Sequence, residues 1–142
     1  MSDSKLDIVG IPPQIIGKRC QALLCQQYWY RGKFTEAALN IFLRFDNEWH
    51  RLFLYFDTIF WRPQEEEPQS WDIPEEGFEY PIVNLGKFLQ VEGTTLSDLI
   101  SESTEAAIGA RVTFSFDNGC VVIFENKDDR THFLVTSADT DM

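Results

Sequence analysis

Three pairings of side chains in this sequence have the residue types for chemistry. Cys20 and Cys25, with His50 or His132, offer the thiolate and imidazole donors that bind zinc. Their spacing argues against a metal, because residues five apart on a regular strand point to opposite faces and zinc sites usually start from closer cysteine pairs in turns. Cys120 with His132 has the make-up of a nucleophile and its base on neighbouring strands. No third group orients that imidazole, and no helix amino terminus lowers the thiol pKa, so Cys120 reads as a cross-strand packing residue. Glu48 and Asp57 could serve as the acid and base of a glycosidase. The simpler reading makes Asp46 a turn residue and Asp57 a bend or a partner of Arg44 or Arg51. The eight glycines fall into no phosphate-cradling or Walker pattern, so nucleotide binding has no handle. The expectation is no catalytic residue, no cofactor and no metal.

The remaining constellation is a segment for recognition. Residues 62–79, RPQEEEPQSWDIPEEGFE, hold seven carboxylates and one arginine around Trp71. Like charges repel in a compact element, while Pro63, Pro68 and Pro74 each remove a backbone donor, so the stretch is expected to be an acidic loop. Loops this long in a compact domain are functional or disordered. Trp71, with Trp61 before it and Tyr80 after it, is of the type that anchors interfaces, and the surrounding carboxylates suit a surface rich in Arg or Lys. The competing reading is a solvated loop whose Trp71 folds back onto the core. The candidate partner-binding residues are Glu65, Glu66, Glu67, Trp71, Asp72, Glu75 and Glu76.

The charge balance favours the same class. Net charge is −11, with residues 1–34 mildly basic and residues 46–80 holding ten acids against Arg51 and Arg62. Nucleic-acid binders need a basic footprint to gain from counterion release, so neither nucleic acid nor an anionic membrane is an expected partner. A basic protein is. No apolar run approaches the roughly 18 residues of a membrane span. The three cysteines are odd in number and the start MSDSKLDIVG lacks a secretory pattern, so the expected setting is the cytoplasm with reduced thiols.

The elements that must position these residues read mainly as strands. At 142 residues with 44% hydrophobic and 14% aromatic content, the chain suits one domain, 1–142, with a sheet-rich core. Cys20 to Lys33 and Glu36 to Phe45 are predicted to form a hairpin around Gly32. Asp46-Asn47-Glu48 supplies a turn into Trp49 to Arg62, a third strand or a pair divided near Phe56-Asp57, with Leu52, Leu54, Phe56 and Phe60 on one face and Trp49, Phe53, Tyr55, Ile59 and Trp61 on the other. Glu79 to Leu85 reads as a short strand. Thr95 to Ser103 reads as a helix, on a Thr95/Asp98 capping box and the stripe Leu96, Leu99, Ile100. Ala110 to Phe116 and Cys120 to Phe124 read as a two-residue hairpin on Asn118-Gly119, with Phe116 facing Val121 and Phe114 facing Ile123. A turn at Asn126 to Asp129 leads to a last strand, Arg130 to Val135. The fold expected is mainly β with one or two short helices, a twisted antiparallel sheet arranged as a sandwich or partial barrel. Residues 1–8 and the acidic tail 136–142 are expected to be flexible.

In size, acidity and β-rich aromatic make-up, the chain resembles the small acidic immunity proteins that bacteria make against their own delivered toxins, including those of contact-dependent inhibition systems. Such proteins occur on many unrelated folds, so no family residue is carried over. The resemblance implies a non-enzymatic protein that occludes a toxin domain, with Glu65, Glu66, Glu67, Glu75 and Glu76 meeting a cationic face and Trp71 filling a pocket. An alternative is a small-molecule or hydrolytic site in an aromatic groove lined by Trp49, Tyr55 and Trp61, with His50, Arg51 and Asp57 as its polar groups. An assembly component pairing through a sheet edge is a third.

Overall fold

The computed structural model describes residues 6–104 and 109–137. Hairpins build most of it, because three two-residue turns place both central residues at positive φ: Arg31-Gly32, Asp46-Asn47 and Asp128-Asp129. That geometry matches the twist of the strands it joins. The chain runs through β1 (Asp7–Val9), β2 (Ala22–Tyr30), β3 (Lys33–Phe45), β4 (Glu48–Tyr55) and β5 (Thr58–Gln64). It continues with β6 (Trp71–Ile73), a 3-10 turn (Pro74–Glu76), β7 (Phe78–Tyr80), β8 (Ile82–Val83) and α1 (Leu85–Phe88). The last four strands are β9 (Leu96–Ser103), β10 (Ala110–Phe116), β11 (Cys120–Lys127) and β12 (Arg130–Ser137).

Two sheets result. The large one has the order β1-β5-β4-β3-β2-β7-β6, with β8 also on β2, and the small one runs β12-β11-β10-β9. All pairs are antiparallel except β1 with β5. The sheets are not closed into a barrel. They share one core, in which Leu23, Cys25, Ile41, Leu43, Leu52, Ile59 and Trp61 of the large sheet meet Val112, Phe114, Val122 and Phe124 of the small one. Asn126, itself buried, ties the sheets together. Its Nδ2 donates to the Leu54 carbonyl and Thr131 Oγ1, and its Oδ1 accepts from the Phe56 amide. The last bond holds Phe56 at φ 53, a backbone region costly for an aromatic residue, and so completes the β4–β5 turn.

Several expectations are corrected. Thr95 to Ser103 is not a helix. Leu96–Ser103 is β9, paired along its length with β10, and the Thr95 amide bonds to Asp117 rather than Asp98. A local cap contributes about 1 kcal/mol and a nine-residue helix is marginal alone, so a full ladder of cross-strand bonds wins. The helix that does form is α1, where Asn84 Oδ1 accepts from the Lys87 amide. The β10–β11 loop contains Asp117 as well as Asn118-Gly119, with Gly119 at φ 91 bonding back to the Phe116 carbonyl. Phe114 therefore faces Val122, and Ser115 faces Val121. This one-residue slip places Val122 and Phe124 in the core, not Val121 and Ile123. Phe60 stacks on Phe53 away from the core, whereas Ile59 and Trp61 lie within it. The segment 62–79 is largely ordered into β6, the 3-10 turn and β7, leaving residues 65–70 irregular. Residues 7–9 and 136–137 are strand, and the rest of both expected flexible ends, 1–5 and 138–142, lies outside the described residues.

Candidate functional site

The acidic segment forms the far edge of the large sheet. β6 pairs with β7 (Trp71 opposite Tyr80, Asp72 opposite Glu79, Ile73 opposite Phe78), and β7 pairs with β2. No described strand lies beyond β6. Because side chains alternate across a sheet, Trp71 and Tyr80 share one face and Asp72 and Glu79 share the other.

On the first face the rings form a continuous row. Trp71 stacks on Tyr80 at 4.3 Å between ring centres, and Tyr80 stacks on Tyr28 at 5.3 Å. Phe78 lies 5.3 Å from Tyr30, whose ring also carries the Arg31 guanidinium. Trp71 is 49% exposed, so it is braced by Tyr80 from one side and open on the other. The reading in which it folds back onto the core is thereby excluded. Gly77, at φ 79, closes the 3-10 turn, and a Cβ there would come 2.8 Å from Arg31 Cγ. Glu75 and Glu76 project from that turn into solvent. Burial, then the charges of Tyr28 and Glu76, push the Tyr80 hydroxyl pKa up.

The second face is acidic. Asp72 and Glu79 stand directly opposite each other, and neither has an ion pair among the described residues. Like charges so placed destabilise a strand pair. A recess of ≈ 250 Å³ at this edge is lined by Ser70, Trp71, Asp72, Glu79, Tyr80 and Pro81. Glu65, Glu66 and Glu67 lie on the irregular stretch before β6, all exposed. Trp71, Asp72, Glu75 and Glu76 are thus gathered on one structured edge, while the glutamate triplet approaches it along the chain. Tyr28, Tyr30, Phe78 and Glu79 belong to the same edge and were not singled out from the sequence, since only the register of β2 with β7 brings them beside Trp71.

The other candidate constellations do not assemble. Trp61 is buried in the core, whereas Trp49 and Tyr55 lie on the opposite face of the sheet, so the three line no common groove. Trp61 instead borders a cleft of ≈ 580 Å³ against Gly10 to Gln14, with His50, Arg62 and Pro63. Burial lowers the His50 pKa. Glu48 opens β4 and Asp57 lies in the turn after it, so the strand, roughly 24 Å long at about 3.4 Å per residue, separates them too far for an acid and base pair. Cys120 faces Ser137, five residues from His132 on β12, so that pair is not formed. His132 instead approaches Glu125. Burial pushes the Cys20 thiol up to about 12 and raises Cys25 and Cys120 as well, which suppresses the thiolate.

No protein-family model, curated protein or solved structure matches the chain. Among the described residues no helix is long and apolar enough to cross a membrane.

Proposed function

We propose that this chain is a cytoplasmic protein-binding module, not an enzyme, that neutralises a basic macromolecule by occlusion, as an immunity protein blocks a toxin domain. The observation that carries the reading is the half-exposed Trp71, stacked on Tyr80 at an unpartnered sheet edge beside Glu75 and Glu76. The carboxylates steer a cationic surface inward, where association reaches about 10⁸ to 10⁹ per molar per second at low salt. Trp71 then enters a pocket of the partner at little ordering cost, because its stack already fixes the ring. A cation seated between Asp72 and Glu79 relieves their mutual repulsion. The outer edge of β6, beyond which no described strand lies, can extend the sheet onto a partner strand.

The test uses a basic protein retained from host lysate on the immobilised chain, with its kinetics then measured in purified form. Replacing Glu65, Glu66, Glu67, Glu75 and Glu76 by Gln is expected to slow association about tenfold or more at low salt and to flatten its dependence on ionic strength. Trp71→Ala is expected to speed dissociation instead. Association rates equal to those of the parent, at every salt concentration, would remove the acidic edge from the mechanism.

A second reading, a small-molecule site, rests on the His50–Trp61–Arg62 cleft, where the Trp61 indole N–H is buried without a hydrogen-bond partner.

A further inference from the structure

The outer face of the large sheet, the side away from the core, carries a feature of opposite sign. Cross-strand register sets Leu24, Phe42, Arg51 and Arg62 in one row across β2, β3, β4 and β5. The next row sets Arg44 opposite Trp49. Arg51 therefore directly faces Arg62, and Arg44 lies diagonal to Arg51, so Cβ separations are about 5 and 7 Å. The third flanking row is Phe53 stacked on Phe60 at 4.6 Å. The Arg51 guanidinium lies 5.0 Å over Phe53, and that of Arg62 lies 5.8 Å over Phe60. Among the described residues none of the three arginines has an ion pair, although acids outnumber bases by 23 to 12 in the whole chain. The Nε atoms of Arg44 and Arg51 are shielded from solvent with no hydrogen-bond acceptor.

We propose that this arginine–aromatic face, centred on Arg44, Arg51, Arg62 and Trp49, docks a carboxylate-bearing segment of a protein partner. The proposal goes beyond the acidic-edge reading and does not require it. Three facts select the occupant. Arginine, tryptophan and phenylalanine are the residues that interface cores enrich, and here they alternate in rows across a sheet, matching a segment that presents carboxylates among apolar side chains. Guanidinium groups grip carboxylates through two parallel bonds, and none of these three has a carboxylate partner among the described residues. A polynucleotide would require a far larger basic footprint than three arginines. At physiological salt the screening length is about 8 Å, so a bound carboxylate feels these arginines more than Asp72 and Glu79, which lie three or four strands from β4 in the sheet order.

The probes are the blocked peptides acetyl-ELEELELE-amide and its glutamine counterpart, with inorganic phosphate as the small-anion control, added to the full chain labelled with ¹⁵N. The glutamate peptide is expected to shift the Nε–Hε resonances of Arg44, Arg51 and Arg62 and the Trp49 indole resonance saturably, with affinity falling as salt rises. The glutamine peptide and phosphate should bind at least tenfold more weakly. Arg51→Gln, or Arg44→Gln if the first variant does not fold, should weaken the glutamate peptide at least fivefold, while the Gln variant of Glu65, Glu66, Glu67, Glu75 and Glu76 should leave its binding intact. Absence of saturable shifts at these four residues, or equal response to phosphate, overturns the proposal. Loss of peptide binding only in the glutamate-to-Gln variant would place the site at the other edge and overturn it equally.

Discussion

The outer faces of the two sheets treat arginine in opposite ways. On the small sheet Arg111 of β10 stands between Glu102 of β9 and Glu125 of β11, at 3.3 and 2.6 Å, and Glu125 is approached by His132 as well. Its hydrogen bond to Glu125, more than any other influence, raises the guanidinium pKa. On the large sheet Arg51 faces Arg62, and neither has an ion pair among the described residues. The acidic edge repeats this with the sign reversed, Asp72 against Glu79. The small sheet thus pairs Arg111 on both sides, whereas the large one leaves like charges facing each other at two places. Uncompensated charge beside ordered rings is what a binding surface holds in readiness for a partner.

The largest effect expected from breaking this contrast is at Arg111. Arg111→Glu removes two ion pairs and sets three carboxylates side by side across β9, β10 and β11, so stability should fall by about 1 kcal/mol or somewhat more. The drop should shrink in high salt, read by chemical denaturation. The same change on the large sheet should act in the other direction: Arg51→Glu converts a like-charge pair into a cross-strand ion pair with Arg62, for a gain of roughly 0.2 to 0.5 kcal/mol, while the glutamate peptide no longer binds. If both substitutions destabilise equally, the two faces are electrostatically equivalent and the contrast fails.

The parts of this arrangement that were legible in the sequence are those written in local chemistry. The turns at Gly32, Asp46-Asn47 and Asp128-Asp129 lie where left-handed backbone is least costly, and they delimit β2, β3, β4, β11 and β12 within a few residues. Trp71 was legible as a solvent-facing residue because prolines and like charges around it forbid a buried element. What failed depended on partners distant in sequence. β9 carries helix-like spacing, and only its ladder with β10 makes it a strand. Asp117 joined the β10–β11 loop because its carboxylate is engaged by the Thr95 amide. The arginine face required the register of the β4–β5 hairpin, fixed by a turn at Phe56, an aromatic residue in a conformation no propensity favours, held there by Asn126 seventy residues away. Trp61 was placed beside Trp49 and Tyr55 by assuming that alternation runs unbroken through that turn.

Between the two outer faces lies the seam where β12 meets β3, and it offers the smallest and most specific test. Glu36 accepts the Thr131 amide at 2.8 Å from a partly buried position. Burial raises its pKa above the usual 4.5; the Thr131 bond and Arg130 oppose this, while Asp129 reinforces it. A carboxyl whose folded-state pKa exceeds its unfolded value contributes stability in full below the unfolded value, and that contribution is lost as pH rises through the folded one. Ionised Glu36 therefore weakens the seam near neutral pH. Glu36→Gln keeps an oxygen to accept the Thr131 amide and cannot ionise, so its stability relative to the parent should improve between pH 4 and pH 7, as measured by urea denaturation at both. A difference that stays constant over that range would mean that the Glu36 charge is fully solvated, and that the seam, like the ion pairs around Arg111, holds no electrostatic debt.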